Sequence, residues 1–156
     1  MTHKHLVDIA YKWVLNNASC GVAFKELKSI GAEIPDVLGF GSGGHSVLIE
    51  CKASRSDFFA DKNKDFRKYP DKGMGSHRFY CCPEGLIKKE ELPEGWGLIY
   101  VNDNGKPKCI AKPYKGNNVH KYTQEKNTLA EYNMMYSALR RLQLRGRMEE
   151  IYEQPK

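Results

Sequence analysis

Ile34-Pro35-Asp36-Val37 and Leu48-Ile49-Glu50-Cys51-Lys52, joined through Gly41-Ser42-Gly43-Gly44-His45, decide how this chain is read. A symmetric hairpin centred on Gly43 pairs positions whose numbers sum to 86, so Phe40 faces Ser46, Leu38 faces Leu48 and Asp36 faces Glu50. Directly opposed residues share one face of the ribbon, with Cβ atoms about 4.5–5.5 Å apart. Lys52 joins the same face, because side chains alternate along a strand. Two carboxylates set opposite each other destabilise a hairpin unless a cation sits between them. A divalent metal is the natural candidate, with the lysine as a second positive group at its edge.

Working outward, residues 3–16 read as an amphipathic helix, with Leu6, Ile9, Ala10, Trp13 and Val14 on one face. Val22–Lys28 reads as a short strand containing Glu26, and Ile34–Phe40 with Ser46–Lys52 as the hairpin. Ser54 and Ser56 are candidate caps for a helix running to about Phe66, with Phe58, Phe59 and Phe66 facing inward. His77–Cys82 reads as a strand. Trp96–Val101 and Lys108–Lys112 flank Asn104-Gly105, a strong hairpin signal. Pro113 to Tyr122 reads as an irregular surface crossing. A last helix, from about Gln124 to Ile151, carries an apolar stripe of Leu129, Tyr132, Met135, Leu139 and Leu142, and Gly146 is positioned to break it. This order predicts a mixed α/β or α+β sandwich.

The 156 residues suit one domain with a real core. A net charge of +6 and a pI near 9.0 lean towards an anionic partner such as nucleic acid. The five cysteines, Cys20, Cys51, Cys81, Cys82 and Cys109, form no C-x-x-C pair and suit buried free thiols in a reducing compartment. With no signal-peptide pattern and no apolar run near the ~20 residues a bilayer needs, a cytoplasmic protein is expected. The absence of a GxxxxGK[ST] loop leaves no sign of ATP-driven activity.

Pro35-Asp36, then Glu50-x-Lys52 on the next strand, then Ser54 opening a helix, resembles the PD-(D/E)XK nuclease superfamily in motif order and spacing over roughly residues 3–112. Within it, Glu50-Cys51-Lys52-Ala53-Ser54-Arg55-Ser56-Asp57-Phe58 is similar to the E-x-K-x-S-R-x-D-F run of MmcB-like DNA repair nucleases. So are His77 to Leu86 and Leu92 to Ile99. The resemblance implies a restriction-endonuclease-like core: a central mixed β-sheet flanked by helices over residues 1–122, with a C-terminal helical extension over 123–156. It further implies a metal-dependent deoxyribonuclease with Asp36, Glu50 and Lys52 as the catalytic set. Asp36, Glu50 and the Cys51 backbone carbonyl would hold Mg²⁺ or Mn²⁺. Glu26 is a further metal candidate, preferred to Asp8. Glu33 is left out, because a regular strand points it away from Asp36.

Ser54, Arg55, Lys62, Lys64, Arg67 and Lys68 would contact the nucleic-acid backbone, DNA more readily than RNA. Other readings stand beside these. Asp61 and Asp65 interrupt the basic run, which then describes a solvated helix face. Arg55 then pairs with Asp57 or Asp61. Arg140, Arg141, Arg145 and Arg147 complement a helix C-terminus, or bind a partner. The alternative to an enzyme is an inactive nuclease-fold module that binds nucleic acid or a protein. The last helix could also join copies of the chain into a homo-oligomer.

Overall fold

The computed structural model describes residues 1–114, 116 and 123–154. Most of the expected Pro113–Tyr122 crossing lies outside the described residues. The protein is a mixed α/β sandwich: six strands in sequential order form a mixed sheet with helices on both faces. Helix α1 (His3–Asn17) is followed by β1 (Val22–Lys25), β2 (Val37–Phe40) and β3 (Ser46–Cys51). Next come α2 (Arg55–Lys62), the single turn α3 (Asp65–Lys68) and β4 (His77–Pro83). The hairpin of β5 (Trp96–Val101) and β6 (Pro107–Ala111) precedes α4 (Thr128–Leu144). The β3–β4 and β4–β5 pairs are parallel; the others are antiparallel.

The β2–β3 register is the one the glycine turn dictates: Phe40 pairs with Ser46, Leu38 with Leu48 and Val37 with Ile49. Gly44, at φ +86°, supplies the left-handed residue the turn needs, and Gly41 N–H donates to the His45 carbonyl at 2.9 Å. Every residue of β3 is buried, as expected of a central strand covered on both sides. Its odd positions Val47, Ile49 and Cys51 meet Leu6, Val7, Ala10 and Val14 of α1. On the other face Leu48 joins Phe58 of α2, Tyr80 and Leu98 of the sheet, and Ala130 and Met134 of α4. Gly39 lets α1 lie directly on the hairpin, since a Cβ there would come within 2.8 Å of Val14 Cγ2 and 2.9 Å of Cys20 Sγ.

Several elements differ from the sequence expectation for local reasons. β1 ends at Lys25, because Glu26 turns into the left-handed region at φ +50°. The helix expected to reach Phe66 stops at Lys62, and α3 turns the chain back. Phe58 is fully buried, while Phe59, one position round the helix, is 44% exposed over solvent. The last helix stops at Leu144, and Gly146 at φ +68° separates it from a 3-10 turn at Met148–Ile151. All five cysteines are free, four of them buried. Among the described residues no helix is long and apolar enough to cross a membrane.

Candidate functional site

The site lies where β2 begins and β3 ends. Asp36 directly precedes β2, and its carbonyl accepts the Glu26 N–H at 3.0 Å, which holds the end of β1 beside it. Its carboxylate Oδ2 accepts the Cys51 N–H at 2.8 Å and so turns towards the strand that carries Glu50 and Lys52. This fixes Asp36 at a half-buried lip of the sheet.

Glu50 lies beneath that lip, 5% exposed. Its carboxyl is held well above the usual carboxylate range, first by burial and second by the charge on Asp36, with Arg67 and Lys52 pulling the other way. The two carboxylates are therefore close electrostatic neighbours, as the register requires. Their direct partners differ. Glu50 Oε1 lies 3.1 Å from Arg67 and Oε2 lies 3.7 Å from Lys52 Nζ, whereas Asp36 Oδ2 lies 3.2 Å from His3 Nε2.

Arg67 is a correction. Instead of facing a phosphate backbone, its side chain is 2% exposed and inserted between three acids. It pairs with Glu33, with Glu50, and with Asp61 through Nε at 2.8 Å. Helix α2 ends early enough for α3 to swing Arg67 under the sheet, where it also lies over the Trp96 ring at 4.9 Å. Burial opposes the charge on Arg67, but Glu33, Glu50 and Asp61 outweigh it and raise its pKa. Asp61 is opposed by its own burial, yet Arg67, Lys52 and the Tyr80 hydroxyl (2.6 Å) bring it below its ordinary value. Lys52 Nζ sits 3.4 Å from Asp61, so the lysine bridges the site to this buried cluster.

Glu33 belongs to the same cluster: its Oε1 accepts the Met74 N–H at 2.8 Å and its Oε2 pairs with Arg67. β2 starts only at Val37, and Glu33 shares no partner with Asp36: it turns to Arg67 and the Met74 N–H, whereas Asp36 meets His3 and the Cys51 N–H. Three buried carboxylates thus meet three cations, Arg67 and Lys52 inside the cluster and Lys64 at its exposed edge, 3.5 Å from Asp61.

On the outer side of Asp36, His3 from the first turn of α1 and Glu26 complete a second group. One donor atom from each of His3, Glu26 and Asp36 lies within 4.8 Å of the others. Asp8 is not part of it, being paired with Lys25 at 2.9 Å. Two carboxylates and an imidazole at this lip are donors of the kind that hold a divalent cation, with Asp36, Glu26 and His3 accessible and Glu50 behind them.

The expected nucleic-acid residues separate by exposure. Ser54 caps α2, its hydroxyl accepting the Asp57 N–H at 3.2 Å. Arg55 is exposed; it pairs with Glu91, rather than Asp57 or Asp61, and donates to the Leu86 carbonyl at 2.8 Å. Lys62 donates to the Glu91 carbonyl at 3.1 Å. Lys64 is exposed 3.5 Å from Asp61, and Lys68 is exposed at the end of α3.

No family model and no curated protein matches this sequence. Among solved structures, the chain is similar to the SPO1766 protein of unknown function from Silicibacter pomeroyi, with a TM-score of 0.63. The match has 22% sequence identity and covers 92% of this chain and 90% of that one. The likeness speaks to the fold alone.

Proposed function

We propose that this protein is a metal-dependent nuclease of the PD-(D/E)XK type, acting on phosphodiester bonds in DNA in the cytoplasm, with a role in repair as the motif resemblance suggests. The observation that carries the reading is that the β2–β3 register, continued by one pair, sets Asp36 opposite Glu50, with Lys52 directly after β3 and its Nζ 3.7 Å from Glu50. Asp36 and Glu50, with the Cys51 carbonyl as a third oxygen and Glu26 at the rim, would hold Mg²⁺ or Mn²⁺. When bound, such an ion supplies Lewis acidity towards a phosphoryl oxygen and lowers the pKa of water. Lys52 places an ammonium where charge develops on the phosphate. Arg67, Glu33 and Asp61 hold Lys52 and Glu50 in place. Arg55, Lys64 and Lys68 offer exposed positive charge to the backbone of the substrate.

The test is a substrate panel: linear, nicked, circular, branched and single-stranded DNA, and RNA, each with Mg²⁺, Mn²⁺ or chelator. Cleavage of DNA that stops on chelation is the expected result. A panel left intact under every condition would remove the enzymatic reading.

One observation favours a second reading, an inactive module that binds nucleic acid or protein. Glu50 already has protein cations as partners, and Lys52 is engaged by Asp61. Calorimetric metal titration separates the two, since the module needs no ion and tolerates Asp36→Ala.

The proposed homo-oligomer is supported by Leu129, Tyr132, Tyr136 and Leu139. These are 49–66% exposed and spaced three, four and three residues apart, as in a helix-pairing seam. Light scattering should give a multiple of 17.8 kDa for the full chain, and a single-chain mass for the Tyr132→Glu, Leu139→Glu variant.

A further inference from the structure

Most of the site's donors are oxygens, which suit Mg²⁺; His3 changes that chemistry. We propose that His3 is a ligand of the metal at Asp36, and that the site therefore prefers a first-row transition dication such as Mn²⁺ over Mg²⁺. The inference rests on the nuclease-type metal site proposed above and names the ion that this site takes.

Three separate elements converge on Asp36. Thr2 caps α1, its hydroxyl accepting the His5 N–H at 3.1 Å, and so fixes the first turn on which His3 stands. The close seating of α1 on Gly39 sets the helix against the hairpin. Glu26 is one of two non-glycine residues with positive φ among those described. A non-glycine residue rarely adopts this left-handed conformation, and here it turns the chain at Glu26 instead of extending β1.

His3 Nε2 then lies 3.2 Å from Asp36 Oδ2, and Nδ1 lies 3.8 Å from Glu26 Oε1. Asp36 is held from the opposite side by the Cys51 N–H, so its carboxylate faces the imidazole from a fixed position. His3 is 44% exposed and Glu26 58%, which leaves an open approach for a hydrated ion.

Mg²⁺ favours an all-oxygen octahedral shell with several waters retained. Imidazole nitrogen is a borderline donor that favours first-row transition ions, and mixed carboxylate–imidazole sets shift selectivity in their direction. A site with one such nitrogen should bind Mn²⁺ about tenfold more tightly than Mg²⁺.

The test uses the full chain with MnCl₂ or MgCl₂ alone. Isothermal calorimetry measures both affinities, and electron spin-echo modulation of bound Mn²⁺ detects a directly coordinated ¹⁴N. The variants are His3→Ala, with His5→Ala on the same helix turn as a control. Support takes the form of tighter Mn²⁺ binding and a nitrogen signal. In His3→Ala the signal and about tenfold of the Mn²⁺ affinity should vanish, with Mg²⁺ affinity unchanged, and His5→Ala should match the parent. If both ions bind and His3→Ala alters neither affinity nor the nitrogen signal, this inference is overturned while the metal site stands. If neither ion binds the parent chain, the metal site itself falls, and the inference with it.

Discussion

Arg67→Met will destabilise the protein by about 3–5 kcal/mol at neutral pH, the range expected when one partner of a buried ion cluster is removed. The substitution keeps most of the stem volume but strips the counter-charge from Glu33, Glu50 and Asp61, of which only Asp61 and Glu50 retain Lys52. The pH dependence has a definite sign. In the parent chain Asp61 has a lowered pKa, so its contribution is present above its unfolded value near 3.8 and is lost as pH falls through the folded value. Glu50 has a raised pKa, so its contribution is full below the ordinary 4.5 and is lost as pH rises through the folded value. Without Arg67, Glu50 and Asp61 move towards the second behaviour. The gap between variant and parent should therefore narrow as pH falls from 7 to 5. Urea melts followed by circular dichroism at the two pH values measure this. A gap under about 1 kcal/mol at pH 7 would show that these acids do not depend on the guanidinium.

Asp36→Asn should abolish metal-dependent cleavage by about a thousandfold or more and leave the fold almost untouched. Several kcal/mol of transition-state stabilisation is the usual share of a catalytic ion, and each 1.36 kcal/mol is a factor of ten. The asparagine amide oxygen can still accept the Cys51 N–H that Asp36 accepts now, so the strand end stays anchored. The variant isolates charge from geometry. Lys52→Met is a companion with an expected loss of about a hundredfold to a thousandfold. It is the less clean experiment, because Lys52 also neutralises Asp61 in the buried cluster. Single-turnover cleavage rates at saturating Mn²⁺, set beside melting curves, check both. An Asp36→Asn protein that cuts DNA at the parental rate would rule Asp36 out of the catalytic set.

The hairpin register was legible in the sequence because a glycine turn fixes which residues pair and alternation then assigns the faces. That sufficed to bring Asp36, Glu50 and Lys52 to one end of the sheet. The remainder of the site comes from segments without periodicity. Glu33 lies outside any strand and faces Arg67 rather than Asp36, and no sequence signal marks that pairing. Arg67 reads as one more residue of a basic helix face until the chain reverses after Asn63, a break marked by no proline or glycine. His3 carries no such signal, because an amphipathic pattern reports only the core-facing positions of a helix and His3 stands outside them on the first turn of α1. On α2, two adjacent phenylalanines cannot both face the sheet, and the helix phase set by Ser54 selects Phe58.

The placement of α1 has a practical consequence for handling the protein. Its opening turn borders Asp36, so any peptide fused ahead of Thr2 would emerge beside the candidate metal ligands. A polyhistidine purification handle at that end would bring a high local concentration of competing imidazoles to the very spot where an ion is sought. Recombinant material intended for titration should carry its affinity label at the opposite terminus, or have the leader cut away before any binding isotherm is recorded.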